Sequence, residues 1–310
     1  MTCKLLIQNI VKHIIMLTEQ FKDSVYFSSL FYLDWPELYK DLCLILKSNH
    51  VNYKILTNTK DYWCRDFMPI QYGNNQYAQF IYKPDYLKDL EQYRTDVVKV
   101  LNGIKKNNFQ IKESPLVIDG GNFVFCKGGN FHSNNSTDFA VMTDKVMIEN
   151  PHYSQVQIEY LIREAFNNQD LKIIWLPWKN SDMCGHTDGI LHYIGTTDSG
   201  RPIVLTNLSV YEADHAHEMK TLLKPHFEII ELNLSEYDDL SWAYINMIQT
   251  RDVIIIPGIG NLVSDKEALA QIRTLFPEYK DKIYQVQMKD FIAEGGGALN
   301  CCTWTISNEI

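Results

Sequence analysis

The chain has 310 residues, of which 45% are hydrophobic and 22% are charged, with 15 glycines and 10 prolines. This composition excludes a disordered or low-complexity chain, and the length allows a substantial hydrophobic core. A formal net charge of −9 argues against nucleic acid as the main partner, because binding to phosphates requires a basic surface. The same acidity is compatible with a small cationic ligand.

Residues 1–23 are predicted to form an N-terminal helix or tail outside a single domain of residues 24–310. The most apolar part of this segment, Leu5 to Leu17, is interrupted by four polar residues, Gln8, Asn9, Lys12 and His13. It is too polar for a membrane span, so no membrane contact is expected, and a weak export signal is the alternative to a tail. The seven cysteines are odd in number and irregularly spaced, which favours reduced thiols in a cytoplasmic protein.

Strand-like and helix-like segments alternate along the chain. Short apolar or β-branched runs predict ten strands, at Ser24–Phe31, Tyr53–Thr57, Tyr77–Tyr82, Phe139–Thr143, Lys172–Leu176, Ile190–Ile194, Ile203–Thr206, Phe227–Leu232, Val253–Pro257 and Ile283–Val286. Apolar spacing predicts five helices, at Pro36–Lys47, Tyr86–Leu101, Ser154–Phe166, Ala213–Leu223 and Asp265–Leu275, with Ser154 and Asp265 as N-caps. This alternation, without a linker rich in Pro, Gly or Ser, predicts one α/β domain.

Five polar clusters follow one another at intervals of roughly 50 to 65 residues. They are Asp61–Pro69, Asp119–Asn122, Asp182–Gly189, Tyr244–Asn246 and Gly295–Cys302. Five similar α/β units, each delivering one loop to a shared centre, would give this spacing. Chance recurrence among many loops is the alternative.

The last cluster contains three successive glycines, Gly295–Gly297, followed by Cys301 and Cys302. Consecutive glycines mark a backbone that bends sharply or that another group approaches closely. A cysteine after such a turn is a candidate nucleophile, and a buried apolar thiol is the alternative. If the segment is a strand, the two cysteine side chains point to opposite faces, so only one can face a site.

The clusters also contain candidate acids and one candidate base. His186 and Asp188 lie two residues apart, so in an extended segment they share a face and present an imidazole and a carboxylate together, although flanking glycines also suit a polar turn. In the first cluster we expect Arg65 to pair with a local carboxylate, and core packing is an alternative for Trp63. Asp66 is the more interesting acid of this cluster.

Two other patterns do not predict a site. His215 and His217 lie near Glu212 and Asp214, but a zinc site would need further ligands at recognisable spacing, and an exposed helix face is the better interpretation. The segment 258–262 lacks the rest of a nucleotide fingerprint or P-loop. We therefore expect no metal ion and no cofactor.

Four of the clusters, in this order, resemble motifs of the agmatine deiminase and Porphyromonas-type peptidylarginine deiminase family, which belongs to the guanidino-group-modifying superfamily. The segment 63–69 is similar to Trp-x-Arg-Asp-x-Gly-Pro, and Asp119 to Gly121 is similar to Glu-Gly-Gly. The segment 185–188 is similar to Gly-His-Val-Asp, and 295–303 to Gly-Gly-Gly-Asn-Ile-His-Cys-Ile-Thr. The resemblance spans about Asp34 to Thr303.

The resemblance implies a fold, a reaction and a set of roles. The fold is a five-bladed α/β propeller (pentein) of ββαβ units around a central active site, and the reaction is a metal-free and cofactor-free hydrolysis of a guanidinium group. Cys301 would be the nucleophile and His186 the general acid and base, while Asp66 and Asp188 would hold the guanidinium. Asp119 would orient His186. Asp119, Trp63 and Arg65 would complete the substrate-binding residues.

The resemblance favours agmatine or a related arginine derivative as the small cationic substrate, and with it a role in polyamine biosynthesis. A peptidylarginine deiminase, an amidinotransferase and a non-catalytic guanidinium-binding protein remain alternatives, and a homo-oligomer is left open. The joint presence of Cys301 and His186 with two acids argues against binding alone. Asp119 in place of Glu, Met68 in place of Gly, and Asn300 in place of His are departures from the family pattern. The segment 80–87 also departs from it, which indicates an altered substrate pocket.

Overall fold

A computed structural model describes residues 17–104, 109–129 and 137–308. Most of the predicted N-terminal helix or tail of residues 1–23 therefore lies outside the described residues. Its described part is a single 3₁₀ turn at Glu19–Phe21, so the boundary at residue 23 stays a prediction.

The described residues form fifteen strands and nine α-helices. The strands are β1 (Ser24–Ser28), β2 (Asn52–Leu56), β3 (Ile70–Gly73), β4 (Gln76–Ile81), β5 (Gln110–Val117), β6 (Val124–Gly128), β7 (Thr137–Thr143), β8 (Lys172–Leu176), β9 (Leu191–Thr196), β10 (Pro202–Thr206), β11 (Glu228–Glu231), β12 (Ile248–Gln249), β13 (Ile254–Gly258), β14 (Ile283–Gln287) and β15 (Thr303–Ile306). The helices are α1 (Ser29–Asp34), α2 (Pro36–Ser48), α3 (Cys64–Phe67), α4 (Val97–Gly103), α5 (Lys145–Glu149), α6 (Gln155–Ala165), α7 (Ala213–Leu223), α8 (Leu262–Leu275) and α9 (Lys289–Gly295).

The strands form five three-stranded sheets, ordered β15-β1-β2, β3-β4-β5, β6-β7-β8, β9-β10-β11 and β12-β13-β14. In each sheet the middle strand is antiparallel to one neighbour and parallel to the strand that follows it. A parallel pair needs a crossover connection, which helices supply here in every sheet. The chain is thus a five-bladed α/β propeller of ββαβ units, as the resemblance implied.

One sheet closes the ring with strands from the two ends of the fold. The last strand, β15, pairs with β1, and Val25 lies opposite Thr305. Each remaining sheet is built from three strands that are consecutive in the chain. Closure therefore depends on a contact between residues that are far apart in sequence.

The five polar clusters occupy equivalent positions in the five units. Each lies between the third strand of one sheet and the first strand of the next, in the connections β2–β3, β5–β6, β8–β9, β11–β12 and β14–β15. The third strand of a sheet ends, and the first strand of the next begins, at the same end of the blades. The five-unit interpretation of the spacing is confirmed, since all five connections lie at that end.

Helices pack against the sheets through apolar faces. Leu42 and Leu46 of α2 belong to the same buried cluster as Phe27 and Phe31, and burial of each such side chain contributes about 2 kcal/mol. Ser154 caps α6 as predicted, because its hydroxyl accepts a hydrogen bond from the Gln157 amide while the Gln157 side chain returns to the Ser154 amide. No helix in the described ranges is long and apolar enough to cross a membrane.

Three predicted elements differ from the structure. The single helix expected at Tyr86–Leu101 is wrong: the segment contains two short 3₁₀ turns, Asp85–Leu87 and Glu91–Tyr93, and then α4. Helix α4 begins after Asp96, whose side chain accepts a hydrogen bond from the Lys99 amide. Asp265 is not an N-cap, because Asn261 caps α8 one turn earlier. The strand expected at Ser24–Phe31 ends at Ser28, which caps α1.

Candidate active site

The structure brings the predicted nucleophile and acids together at the loop end of the propeller. The Sγ atom of Cys301 lies 3.8 Å from Oδ2 of Asp188. The carboxylate of Asp66 is also close enough to repel a thiolate at Cys301, and its Oδ1 lies 3.5 Å from Nδ1 of His186. The side chains of Asp66, Asp188 and Cys301 are buried, with Cys301 only 6% exposed, and the side chain of His186 is 10% exposed. Loops from three different connections therefore supply one buried centre.

The glycine run in the last connection packs against an aromatic ring. Gly296 ends α9 with a φ of +71°, in the left-handed region that favours glycine. A Cβ atom on Gly295 or Gly297 would lie 2.6 or 2.3 Å from carbons of the Trp63 ring. Trp63 thus contacts the loop that leads to Cys301, and its predicted contact with substrate stays a prediction.

Cys301 and Cys302 lie in a turn rather than a strand, yet their side chains still separate. The thiol of Cys302 is fully buried in the core and points to the carbonyl oxygen of Leu299, at 3.5 Å. The turn is held by Asn246, whose Oδ1 accepts hydrogen bonds from the amides of Asn300 and Cys301, at 2.9 and 3.2 Å. Sequence reasoning placed Asn246 in a polar cluster but gave it no role.

Gly121, the second residue of a glycine pair, leaves room beside its backbone for the side chains of Asp66 and His186. The amide of Gly121 donates a hydrogen bond to Oδ1 of Asp66, at 3.0 Å. A Cβ atom on Gly121 would lie 2.6 Å from that oxygen and 2.8 Å from Nδ1 of His186. A larger residue at position 121 would therefore separate the carboxylate from the imidazole.

The predicted contact between Asp119 and His186 is present. Oδ2 of Asp119 lies 3.1 Å from Nε2 of His186. The same oxygen accepts a hydrogen bond from the hydroxyl of Tyr86, at 2.9 Å. Sequence reasoning missed Tyr86 because apolar spacing assigned it to a helix.

The site groups three buried carboxyl groups, those of Asp66, Asp119 and Asp188, around one imidazole. Burial raises the pKa of Asp66 to about 8, and Asp119 and Asp188 add to this effect while His186 opposes it. Burial lowers the pKa of His186, but the Asp66 carboxylate and the hydrogen bond with Asp119 outweigh it and hold that pKa well above its usual value. Burial, followed by the charges of Asp188 and Asp66, raises the pKa of the Cys301 thiol well above its ordinary range. Burial and the two carboxylates therefore disfavour a thiolate at Cys301.

Two carboxylate oxygens of the site have no hydrogen-bond partner among the described residues. They are Oδ1 of Asp188 and Oδ1 of Asp119, both buried. An unpaired buried carboxylate oxygen is costly, so both atoms favour a ligand that donates hydrogen bonds. Within the same described ranges, no His, Cys, Asp and Glu side chains are grouped so as to hold a metal ion.

Arg65 has partners other than the local carboxylate that the sequence predicted. Its Nη1 atom pairs with Oε1 of Glu19 at 3.2 Å, and Nη2 donates to the carbonyl oxygen of Phe123 at 3.3 Å. The predicted local pair is wrong, because the structure supplies a partner from another part of the chain. The amide of Arg65 also donates to the carbonyl oxygen of Cys301, at 3.1 Å, so Arg65 links the N-terminal turn to the nucleophile loop.

Replacing Glu19 with glutamine should destabilise the fold by about 2 kcal/mol at neutral pH, because it leaves a buried guanidinium without its anion. Burial raises the pKa of Glu19, but Arg65 and Lys22 together outweigh it and hold the pKa below its usual 4.5. A lowered carboxyl pKa stabilises the fold above the unfolded-state value, and the effect is lost as pH falls through the folded-state value. The difference between wild type and variant should therefore shrink in acid. Urea denaturation at neutral and at acidic pH measures the difference in stability and its decrease.

The matched control is Glu37→Gln, which removes the carboxylate of an exposed pair with Lys40. Exposed pairs contribute little, so this variant should unfold like the wild type. Equal losses in the two variants would contradict a special role for Glu19.

The five-bladed propeller, with a cysteine, a histidine and buried acids at its centre, defines the chain as a protein of the pentein fold. The sequence profile of the Porphyromonas-type peptidyl-arginine deiminase family matches residues 38–306, and the chain belongs to this family.

Individual proteins give a consistent comparison. A curated relative from Marinomonas sp. (strain MWYL1), assigned as an agmatine deiminase, is 25% identical over 229 residues, which cover 62% of this chain and 57% of the relative. The match thus spans little more than half of that relative's length. The agmatine deiminase of C. jejuni superposes with a TM-score of 0.69 at 16% identity, over 94% of this chain and 95% of that chain. That of Enterococcus faecalis gives 0.66 at 16% identity, over 95% and 96%. Both structures support the fold.

Proposed function

We propose that this protein is a guanidino-group hydrolase that uses Cys301 as its nucleophile and releases ammonia from agmatine or a related small arginine derivative. The observation that carries the proposal is the arrangement of Cys301 beside Asp188 and Asp66, with His186 on the other side of Asp66. A thiol, two acids and an imidazole are the groups that attack on a guanidinium carbon requires.

The acids bind and orient the planar cation. A guanidinium presents N–H donors in a fixed fork that matches carboxylate oxygens. The unpartnered Oδ1 of Asp188 would accept one such donor, and Asp66 would accept others. This holds the guanidinium carbon in front of Cys301, which converts attack into a unimolecular step.

Substrate binding also activates the thiol. In the free protein, burial and the charges of Asp188 and Asp66 hold Cys301 in its protonated form. A bound guanidinium offsets those charges and adds a positive charge beside the sulfur, so ionisation becomes more favourable. The nucleophile thus forms only when the electrophile is in place.

The proposed reaction has two stages. The Cys301 thiol releases its proton to solvent as the substrate binds, and the thiolate forms a bond to the guanidinium carbon. His186 then donates a proton to one nitrogen, and the C–N bond breaks to release ammonia. The S-alkyl-thiouronium that remains is attacked by water, from which His186 accepts a proton. The C–S bond then breaks and returns the thiolate, while the hydroxyl proton of the adduct passes to the released ammonia, so that the products are ammonium and a ureido compound.

Burial of the site favours a small substrate over an arginine in a folded protein. His186 and both acids have side chains that are at most 10% exposed, and Cys301 is equally buried. A peptidylarginine would need an open rim around the guanidinium site. A small guanidino substrate therefore agrees better with this geometry than a peptidylarginine does.

An assay of ammonia and ureido product over agmatine, arginine, methylated arginines and arginyl peptides tests the proposal. We expect turnover of agmatine or another small guanidino compound in water, without an added amine. Ammonia release that occurs only with arginyl peptides would favour a peptidylarginine deiminase. Turnover that depends on an acceptor amine would favour an amidinotransferase. Binding without any product from folded protein would overturn the hydrolase.

A further inference from the structure

One oxygen atom, Oδ2 of Asp119, is shared between the imidazole of His186 and the hydroxyl of Tyr86. The two distances are 3.1 and 2.9 Å, so both contacts are hydrogen bonds of ordinary length. The second oxygen, Oδ1, has no partner among the described residues. Tyr86 therefore contacts the only oxygen through which Asp119 reaches His186.

A buried lysine holds Tyr86 in this position. Lys145 is 1% exposed, and its Nζ atom lies 4.9 Å from the centre of the Tyr86 ring. The same Nζ pairs with Asp85 at 2.8 Å and donates to the carbonyl oxygen of Met183 at 2.7 Å. Asp85 precedes Tyr86 in the chain, and Met183 lies three residues before His186. Lys145 thus ties the tyrosine segment to the histidine loop.

We propose that Tyr86 is a positioning residue, which holds the Asp119 carboxylate against His186 and limits how strongly that carboxylate retains the imidazole proton. The inference rests on the proposed function, in which His186 gives a proton to the leaving nitrogen. A phenol that donates to a carboxylate stabilises its negative charge, so the carboxylate attracts the proton on the imidazole less strongly. The imidazolium then releases its proton to the leaving nitrogen more readily.

Other titratable groups also act on this pair. The imidazole is faced by Asp66 from α3 and by Cys184 from its own loop, in addition to Asp119. Six titratable groups from neighbouring segments interact electrostatically or by a hydrogen bond with Asp119. They are Asp61, Asp66, Tyr82, Tyr86, Glu149 and His186. Tyr86 and His186 are the two that have hydrogen bonds to Asp119 in the described residues. The phenol of Tyr86 can therefore be removed while the other charges stay.

The variant Tyr86→Phe tests the inference. We expect kcat to fall about tenfold while KM for the small guanidino substrate changes little, because proton transfer is affected and the guanidinium contacts are not. The alkaline limb of the kcat/KM profile should move upward by roughly one pH unit, since the imidazolium is held more tightly. An NMR titration of the His186 ring in the free protein should show the same upward shift.

Two further variants decide between positioning and general damage. Tyr193→Phe also removes a partly buried phenol, which donates to the carbonyl oxygen of Lys127, and it should leave the pH profile unchanged. In an Asp119→Asn background, Tyr86→Phe should have no additional effect on the His186 titration. The inference would be overturned if the His186 ring titrated in Tyr86→Phe as it does in the wild type. It would also be overturned if Tyr193→Phe shifted the His186 titration by an equal amount. If no guanidino compound is turned over, the proposed function fails, yet the NMR titration still tests Tyr86.

Discussion

Replacing Cys301 with alanine should abolish turnover, with kcat lowered by roughly 10⁴-fold or more, because among the described residues Cys301 is the thiol that lies beside both Asp66 and Asp188. The adjacent thiol, that of Cys302, is fully buried and directed to a backbone carbonyl. Binding of the guanidinium should survive, since Asp66 and Asp188 are unchanged. Single-turnover kinetics measures the loss of turnover, and mass spectrometry measures the guanidino compound that stays bound. With wild-type protein, an acid quench should trap an adduct that the variant lacks.

Cys302→Ala is the matched control. It removes an adjacent thiol of the same size from the core, which should cost about 1–2 kcal/mol of stability, while substantial activity remains. Loss of turnover to the same extent in both variants would show that the choice of nucleophile is wrong.

Replacing Asp188 with asparagine should have opposite effects on catalysis and on the reactivity of the thiol. We expect kcat/KM to fall by roughly 10³-fold, because a neutral amide no longer holds the cation. The carboxylate of Asp188 raises the pKa of the Cys301 thiol, second only to burial, so its removal should lower that pKa. Alkylation of Cys301 by neutral iodoacetamide should then be faster than in the wild type at the same pH.

Asp265→Asn supplies the comparison, because Asp265 is also buried but bonds to Tyr244 and to the amide of Ile259, away from the thiol. It should leave the alkylation rate unchanged. Slower alkylation in Asp188→Asn would mean that Asp188 stabilises the thiolate in the free protein, which contradicts the proposed activation by substrate.

Local sequence patterns predicted every middle strand and five of the ten edge strands. β8 and the helix α7 have the predicted bounds, and the middle strands β4, β7, β10 and β13 were found within two residues. The edge strands β3, β5, β6, β12 and β15 were missed. Each of these except β5 has at most five residues, so its local pattern is short and its conformation depends on pairing with a neighbour.

The residues of the candidate site also divide into those that the sequence indicated and those that it missed. Motifs identified Cys301, His186, Asp66 and Asp188, because each lies in a short run whose glycines and polar residues are adjacent in the chain. Glu19 and Tyr86 could not be identified, since their partners lie 46 and 33 residues away. For Tyr86 the apolar spacing predicted one long helix, whereas the residue lies in the short 3₁₀ turn Asp85–Leu87 and its hydroxyl bonds to Asp119.

Closure of the ring by β15 has a consequence for synthesis of the protein. Cys301 lies immediately before the strand that completes the first sheet, so the thiol is the last of the proposed catalytic groups to leave the ribosome. Until then β1 and β2 lack their third strand, and the acids made earlier have no thiol beside them. Translation that stops before Cys301 yields an open ring that also lacks the proposed nucleophile.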